Sequence, residues 1–113
     1  MPYMIHGQQM NLGPNLEPRN MNGPVFVPLR AVVEALGGSA EWNDQSSSVT
    51  AEFNGHTANV PGGAREYNVD GEQRQMSVAP FNQESHLWVP VEFFEAFGTP
   101  AIADTNTNTV TIQ

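Results

Sequence analysis

The residues best suited to chemistry in this sequence are three isolated histidines, His6, His56 and His86. Zinc and copper sites in proteins are built from clustered histidine, cysteine and carboxylate ligands. The sequence has no cysteine, and none of the three histidines has a second histidine two or four residues away. We therefore expect no metal site and no bound cofactor, and we interpret the histidines as surface or turn residues.

The other candidate catalytic groups are also poorly arranged for a reaction. Glu92 and Glu95 are three residues apart on a predicted helix, so their carboxylates would lie side by side. A glycosidase instead needs two carboxylates facing each other across a cleft. Ser46–Ser48 lacks the Gly-x-Ser-x-Gly pattern of a hydrolase nucleophile, and Gly62-Gly63 is not followed by a phosphate-binding helix with a lysine. We expect no catalytic residue, and hence no enzymatic activity.

A few side chains remain as candidates for a surface that contacts a partner: Arg30, Glu34, Trp42, Trp88 and Glu92. Large aromatic residues beside a helix are usually core residues, but exposed ones can stack against sugar rings. Arg30 can donate two parallel hydrogen bonds to a ligand, or simply pair with Glu34 one helical turn away. Exposure of the two tryptophans distinguishes a carbohydrate-binding surface from a structural role.

The elements that position these side chains include a helix whose sequence occurs nearly twice. The first copy runs from Val27 to Gly37, and the second from Val89 to Gly98. Proline favours the first position of a helix, and glycine favours the position just after its end. Between them, apolar residues recur at helical spacing: Leu29, Val32, Val33 and Leu36 in the first copy, and Val91, Phe94 and Phe97 in the second. This spacing predicts two short helices that each bury one apolar stripe.

The similarity between the two copies extends beyond the helices. Phe26 precedes the first Val-Pro pair and Trp88 precedes the second, and each helix is followed by a short strand, a polar turn and another strand. The second of these strands begins with Val49 in the first copy and is Thr109–Ile112 in the second. We predict two repeats of one strand-helix-hairpin unit, in halves of about 1–60 and 61–113, that share a core.

The remaining sequence predicts short strands joined by tight turns. Val49, Ala51 and Phe53 alternate with polar residues, as in a half-buried strand. Asn54-Gly55 and Asp70-Gly71 are turn sequences typical of β-hairpins. The expected fold is therefore α+β, a single domain of residues 1–113 with mostly antiparallel short strands and two short helices.

Three segments complete the prediction. Tyr3–Ile5 is expected to pair with a strand that includes Met10 and Leu12, whereas Gly13–Pro24 and Pro80–Ser85 are expected to be loops.

Composition excludes several classes of function. The net charge is −8, and the only cationic side chains are Arg19, Arg30, Arg65 and Arg74. Binding to nucleic acid or to anionic lipid is therefore not expected, because both require a basic surface. No stretch approaches the ~20 apolar residues of a membrane-spanning helix, so membrane insertion is not expected either. The first residues lack the pattern of a signal peptide, and we expect any export signal to lie upstream.

Taken together, these residues resemble the copper amine oxidase N-terminal-like domain, also called a stalk domain. The resemblance rests on Asn22-Gly23, on Val27–Gly37 and on the following Trp42 and Val49-Thr50. It extends over nearly the whole chain, since Tyr3–Leu12, Asn22–Phe53 and Glu66–Ile112 are similar to successive parts of that family. The second copy of the motif departs from the family pattern at Glu92, where arginine is usual, and at Ala103, where a larger apolar residue is usual.

The resemblance implies a non-catalytic structural or interaction module, because the family motif contains no copper ligands. It also implies an exported bacterial protein located outside the cell or at its surface. The expected partner is another protein or a second copy, bound through a sheet edge such as Thr109–Ile112 or Tyr3–Leu12. The alternative is a module that binds carbohydrate or cell-wall polysaccharide through exposed aromatic residues.

Overall fold

A computed structural model of the protein describes residues 2–21, 23–83, 85–104, 106 and 109–113. Asn22, which begins the family-like motif, lies outside the described residues. The helices are α1 (Leu29–Ala35) and a 3₁₀ helix (Val91–Phe97). The strands, in chain order, are β1 (Tyr3–Ile5), β2 (Gln8–Met10), β3 (Arg19–Asn20), β4 (Val25–Pro28), β5 (Ser39–Asn43), β6 (Ser48–Phe53), β7 (His56–Pro61), β8 (Glu66–Val69), β9 (Glu72–Gln75), β10 (Phe81–Gln83), β11 (His86–Pro90), β12 (Ala101–Asp104) and β13 (Thr109–Ile112).

The strands form three small sheets. One has the order β12-β13-β1-β2, the second β10-β11-β4-β3, and the third is the meander β5-β6-β7-β8-β9. Among the described residues, all strand pairings are antiparallel except that of β1 with β13, which run parallel. The predicted α+β class with mostly antiparallel short strands and two short helices is confirmed.

Helix α1 forms because its sequence combines an extended proline, an apolar stripe and a terminal glycine. Leu29, Val32, Val33 and Leu36 are all buried, as their spacing predicts. Pro28 has an extended backbone at φ −73° and ψ 119°, so it precedes the helix instead of occupying its first turn. Gly37 follows the helix with φ +96°, a conformation that favours glycine.

The second helix differs from the first in its hydrogen-bonding type. Val91–Phe97 is a 3₁₀ helix, which has about three residues per turn and aligns residues i, i+3 and i+6. Val91, Phe94 and Phe97 therefore form one buried row, as predicted. Phe93 is also buried, although the sequence pattern did not identify it. Its ring makes edge contacts with those of Phe94 and Phe97, so aromatic packing fixes this short helix.

The hairpin predictions are also confirmed. Asn54 and Gly55 have φ values of +55° and +78°, and Asp70 and Gly71 have +53° and +83°. These positive values are those that a tight hairpin turn requires.

Two predicted loops contain strands instead. β3 lies within Gly13–Pro24, and β10 lies within Pro80–Ser85. Both are too short for periodicity to show, and both exist because they flank the pair β4–β11. Leu12 is likewise outside the first hairpin, because β2 ends at Met10.

The expected sheet edges need correction as well. Thr109–Ile112 is an internal strand, with β12 on one side and β1 on the other. Tyr3–Ile5 is internal too, between β13 and β2. Of the predicted segment Tyr3–Leu12, only β2 is an edge strand.

Most of the buried apolar side chains form one hydrophobic cluster, to which the three sheets and both helices contribute. Its fully buried large members include Ile5, Leu29, Phe94, Phe97 and Ile112. Among the described residues, no helix has the length and apolar character needed to cross a bilayer.

Candidate functional site

The two tryptophans have opposite environments. The Trp88 side chain is 0% exposed and lies in β11 at the centre of its sheet, so it is a core residue. The Trp42 side chain is 47% exposed and lies in the edge strand β5. The interpretation as core is therefore correct for Trp88 and wrong for Trp42. Conversely, Trp88 cannot belong to the exposed candidate surface.

Trp88 is enclosed by the flanking strands of its sheet. The Arg19 guanidinium carbon of β3 lies 4.1 Å from the centre of the Trp88 ring, and the Phe81 ring of β10 stacks at an angle of 10°. Arg19 also donates a hydrogen bond to Gln83 on β10. These contacts hold the two short outer strands, β3 and β10, against the central pair β4–β11.

Trp42 borders the first candidate surface, a groove of about 460 Å³. The indole N–H of Trp42 donates to Asp44 Oδ1 at 2.5 Å, which fixes the orientation of the ring at the rim. The groove is lined by Arg30, Ala40, Glu41, Trp42, Val49, Asn82, Ser85 and Leu87. We call the groove that these eight residues line the Trp42 groove. It combines one aromatic face with guanidinium, amide, hydroxyl and carboxylate groups, which can donate and accept hydrogen bonds.

Arg30 and Glu34 are placed as their spacing predicts. Arg30 Nε lies 3.0 Å from Glu34 Oε2, and both side chains are more than half exposed. An exposed pair of this kind stabilises a helix by only about 0.3–0.5 kcal/mol. Arg30 is therefore available to a ligand of the Trp42 groove at little cost to the fold.

Glu92 lies in a different place from the other candidates. It is exposed on the 3₁₀ helix, accepts a hydrogen bond from the Ser77 hydroxyl and borders a second groove beside β12. The predicted surface is thus divided into two. Arg30 and Trp42 line one groove with Glu34 beside Arg30, whereas Glu92 joins a site that contains Ile102.

Several residues of these two sites were missed by the sequence reasoning. Asn82 and Ser85 lie in Pro80–Ser85, a segment for which the sequence predicts only a loop. Ile102 is 63% exposed, whereas its neighbours Ala101 and Ala103 pack against the core. The alternation of small and large residues over 101–103 was a signal for this, because successive strand residues face opposite sides of a sheet.

One of the isolated histidines, His56, makes a polar contact with a carboxylate. His56 Nδ1 lies 2.6 Å from Asp70 Oδ2, and Asp70 Oδ1 accepts the backbone N–H of Thr57 at 2.9 Å. The hydrogen bond with His56, and then that with Thr57, hold the pKa of Asp70 below its ordinary value. The pair links the turn between β6 and β7 to the turn between β8 and β9, so we interpret its role as structural. In the part of the chain that the structure describes, no three histidine or carboxylate side chains converge as metal ligands would.

The comparison with protein families decides the classification. The model of the copper amine oxidase N-terminal domain matches residues 4–112, almost the whole chain. The chain belongs to that family. The N-terminal domain of the copper amine oxidase family is a non-catalytic domain. No curated protein matches the sequence.

Within this copper amine oxidase N-terminal domain, the apolar residues of the repeated motif lie in the core. Val27, Leu29 and Val32 of the first copy are fully buried, as are Val89 and Phe94 of the second. The motif therefore builds the core, and the exposed residues around it form the candidate surfaces.

Proposed function

We propose that this domain is a non-catalytic, stalk-like structural and interaction module of an exported or cell-surface bacterial protein. The observation that carries the proposal is the burial of the repeated motif. Val27 and Val89 at the starts of the two copies are 0% exposed, so the most distinctive residues of the chain stabilise the fold. The remaining surface is mostly acidic and polar, with a few exposed apolar side chains such as Trp42 and Ile102, which suits contact with a partner more than proton transfer.

Support for a protein partner comes from the edges of the three sheets. Each sheet ends in short strands whose outer side has no neighbouring strand among the described residues: β12 and β2, β10 and β3, and β5 and β9. The sequence contains no lysine, a residue that commonly protects such edges against pairing. A partner segment can therefore add a strand to one of them.

An assay of turnover tests the non-catalytic role. We expect no hydrolysis of glycosides or esters and no oxidation of amines by the purified chain, with or without added copper. Turnover that is lost on replacement of a single side chain, such as Glu92→Gln or His56→Ala, would contradict the proposal. Fractionation of the source cells with an antibody to this domain tests the location, which we expect to be the wall or the medium.

A second candidate function is binding of carbohydrate or cell-wall polysaccharide, and the exposure of Trp42 favours it. The Trp42 ring stands at the rim of a groove that also presents Arg30, Glu41 and Asn82. Aromatic faces flanked by polar groups of this kind stack on sugar rings and bind their hydroxyls.

Tryptophan fluorescence tests this candidate, because Trp42 is exposed and Trp88 is buried. We expect soluble fragments of cell-wall glycan to shift the emission of Trp42 and to protect it from quenching by acrylamide. Isothermal titration calorimetry reports glycan binding by variants that lack the Trp42 fluorophore: Trp42→Ala should abolish the heat of binding, whereas Trp42→Phe should retain part of it. Met21→Ala is a matched control, because Met21 is 48% exposed and does not line the Trp42 groove. Unchanged emission at saturating glycan would exclude this candidate.

We also propose that the two halves are diverged copies of one strand-helix-hairpin unit. In support, β4 leads into α1 and the hairpin β5-β6, and β11 leads into the 3₁₀ helix and the hairpin β12-β13. The lead-in strands β4 and β11 pair antiparallel, and Val27 and Val89 of the two Val-Pro pairs are register partners. Two copies related by an approximate two-fold axis through this pair would have this register.

A further inference from the structure

We infer that β12 is a docking edge for an extended, basic peptide segment, which adds as a fifth strand to the sheet β12-β13-β1-β2. This inference rests on the proposed interaction function and names the edge and the chemistry of the partner. It starts from Ile102 in β12, the most exposed large apolar side chain among the described residues at 63%.

The register of β12 shows which backbone groups are free to bind. The backbone N–H of Gln113 donates to the carbonyl of Pro100 at 2.9 Å, so these two residues form a hydrogen-bonded pair. Hydrogen-bonded pairs recur at every second residue of an antiparallel ladder. The next bonded pair is therefore Ile102 with Thr111, and the backbone groups of Ala101 and Ala103 point away from β13.

These outward groups are available to an added strand. Within the described part of the chain, no residue outside the sheet bonds to the backbone of Ala101 or Ala103. Two N–H groups and two carbonyls thus line the open edge, in the arrangement that strand addition uses.

Acidic side chains flank this edge on the side of the 3₁₀ helix. A groove of about 270 Å³ runs between β12 and the start of β4 and includes Pro24, Val25 and Glu92. A second groove, of about 310 Å³, includes Pro100, Thr111 and Glu95. Glu92 and Glu95 are one 3₁₀ turn apart and so lie on the same side of that helix. None of the described residues that line these two grooves is an arginine.

The negative charge beside β12 indicates which kind of strand can bind at this edge. A second copy of this chain would bring the same two glutamates and a net charge of −8 against their equivalents. A partner strand with cations complements them. Because strand residues alternate between faces, the fitting pattern is basic-apolar-basic. Its two basic side chains lie over Glu92 and Glu95, and its apolar side chain lies beside Ile102.

The test is a nuclear magnetic resonance titration of the whole ¹⁵N-labelled chain with the capped peptide Thr-Arg-Ile-Arg-Thr. We expect saturable shifts of the amide signals of Ala101 and Ala103, and none with Thr-Glu-Ile-Glu-Thr. The double variant Glu92→Gln, Glu95→Gln should weaken binding about threefold to tenfold at low salt. Glu41→Gln, which changes a carboxylate of the Trp42 groove, should leave the affinity unchanged.

A proline substitution tests the backbone contribution. Ala103→Pro removes an outward N–H without breaking the β12–β13 ladder, and it should abolish binding while the circular dichroism spectrum is retained. Gln75→Pro is the matched control on the edge strand β9. The bond from Met76 N–H to the Arg65 carbonyl likewise places the Gln75 N–H on the outer side.

Three results would overturn the inference. Absence of saturable shifts would show that β12 does not bind such a peptide. Shifts confined to another edge strand would reject β12 and leave the interaction function standing. Shifts of the β12 signals that depend on protein concentration without peptide would identify a second copy as the occupant. Cleavage of the peptide by the chain would instead contradict the non-catalytic function itself.

Discussion

Val27 and Val89 face each other across the antiparallel pair β4–β11, and both side chains are fully buried. They hold equivalent places in the two copies of the Val-Pro motif. Each strand then leads directly into a helix that covers the core. The pair β4–β11 therefore brings the two Val-Pro segments together in the buried centre of the fold.

Leu36→Ala should lower the free energy of unfolding by about 2–5 kcal/mol, because Leu36 ends the buried stripe of α1 and the substitution leaves a cavity. Chemical denaturation measures this difference. The exposed Arg30→Ala serves as the control and should change stability by about 0.5 kcal/mol or less. A loss for Leu36→Ala no larger than that of the control would show that the stripe is not packed.

Gly38→Ala should destabilise the chain by about 1–3 kcal/mol, as expected for overpacking. An added Cβ would overlap the backbone oxygen of Glu52 and would lie 2.9 Å from Val33 Cγ1, so the strand β6 would have to shift away from residue 38. Thermal melting measures the effect. Ser39→Ala, at the neighbouring exposed position, should be nearly neutral. Equal melting temperatures for the two variants would refute the close approach of β6.

Tyr3→Phe tests a buried phenol that links β1 to the following loop. The Tyr3 hydroxyl donates to the carbonyl of Leu16 at 2.7 Å, so its removal should cost about 0.5–1.5 kcal/mol near neutral pH. Burial, and secondarily the charge of Glu17, raise the pKa of Tyr3 above its ordinary value.

The raised pKa gives this prediction a pH dependence. Above about pH 10 the unfolded chain releases the Tyr3 proton and the folded chain keeps it, so the stability of the native protein falls as pH rises. The fall should be smaller in Tyr3→Phe. Urea denaturation at about pH 8 and about pH 11 measures both effects, and parallel pH profiles would contradict the burial of the phenol.

Asp70→Asn tests the pair with His56 at the opposite end of the pH range. The pKa of Asp70 is lowered chiefly by its hydrogen bond with His56, so its ionised form is favoured in the folded chain. Its contribution to stability is present above the unfolded pKa of about 3.9 and is lost as pH falls through the lower folded value. Asparagine tolerates the positive φ of this turn residue.

We therefore expect Asp70→Asn to melt slightly below the native protein near pH 6 and to match it at about pH 2. Melting temperatures across this range measure the difference, and Glu72→Gln is a control two residues away. A constant difference at all pH values would show that the carboxylate charge has no role.

The parts of the fold that follow from local pattern could be predicted from the sequence. The stripe of α1 is readable because helical spacing alone selects its buried face. The turn at Asn54-Gly55 is readable because a two-residue hairpin needs positive φ values there. The type of the second helix was not readable, since three phenylalanines within Val91–Phe97 allow more than one buried row.

The parts that depend on distant partners could not be predicted. β3 and β10 form only because β4 and β11 offer them edges, and β1 pairs with β13 from the other end of the chain. The composition of the candidate surface could not be predicted from the sequence for the same reason. Trp42 and Trp88 are equally apolar, but Trp88 lies at the centre of a sheet and Trp42 at an edge, and only the arrangement of strands decides which is exposed.

Hydrogen exchange of the native chain tests the central claim most directly, because it reports on the buried motif and the open edge at once. We expect the hydrogen-bonded amides of β4 and β11 to exchange only through global unfolding, so that their opening free energy equals the free energy of unfolding. The amides of Ala101 and Ala103 should exchange rapidly in the free protein. Fast exchange throughout β4 or β11, or strong protection of Ala103 in the free monomer, would contradict a module built on a shared motif core with β12 open to a partner.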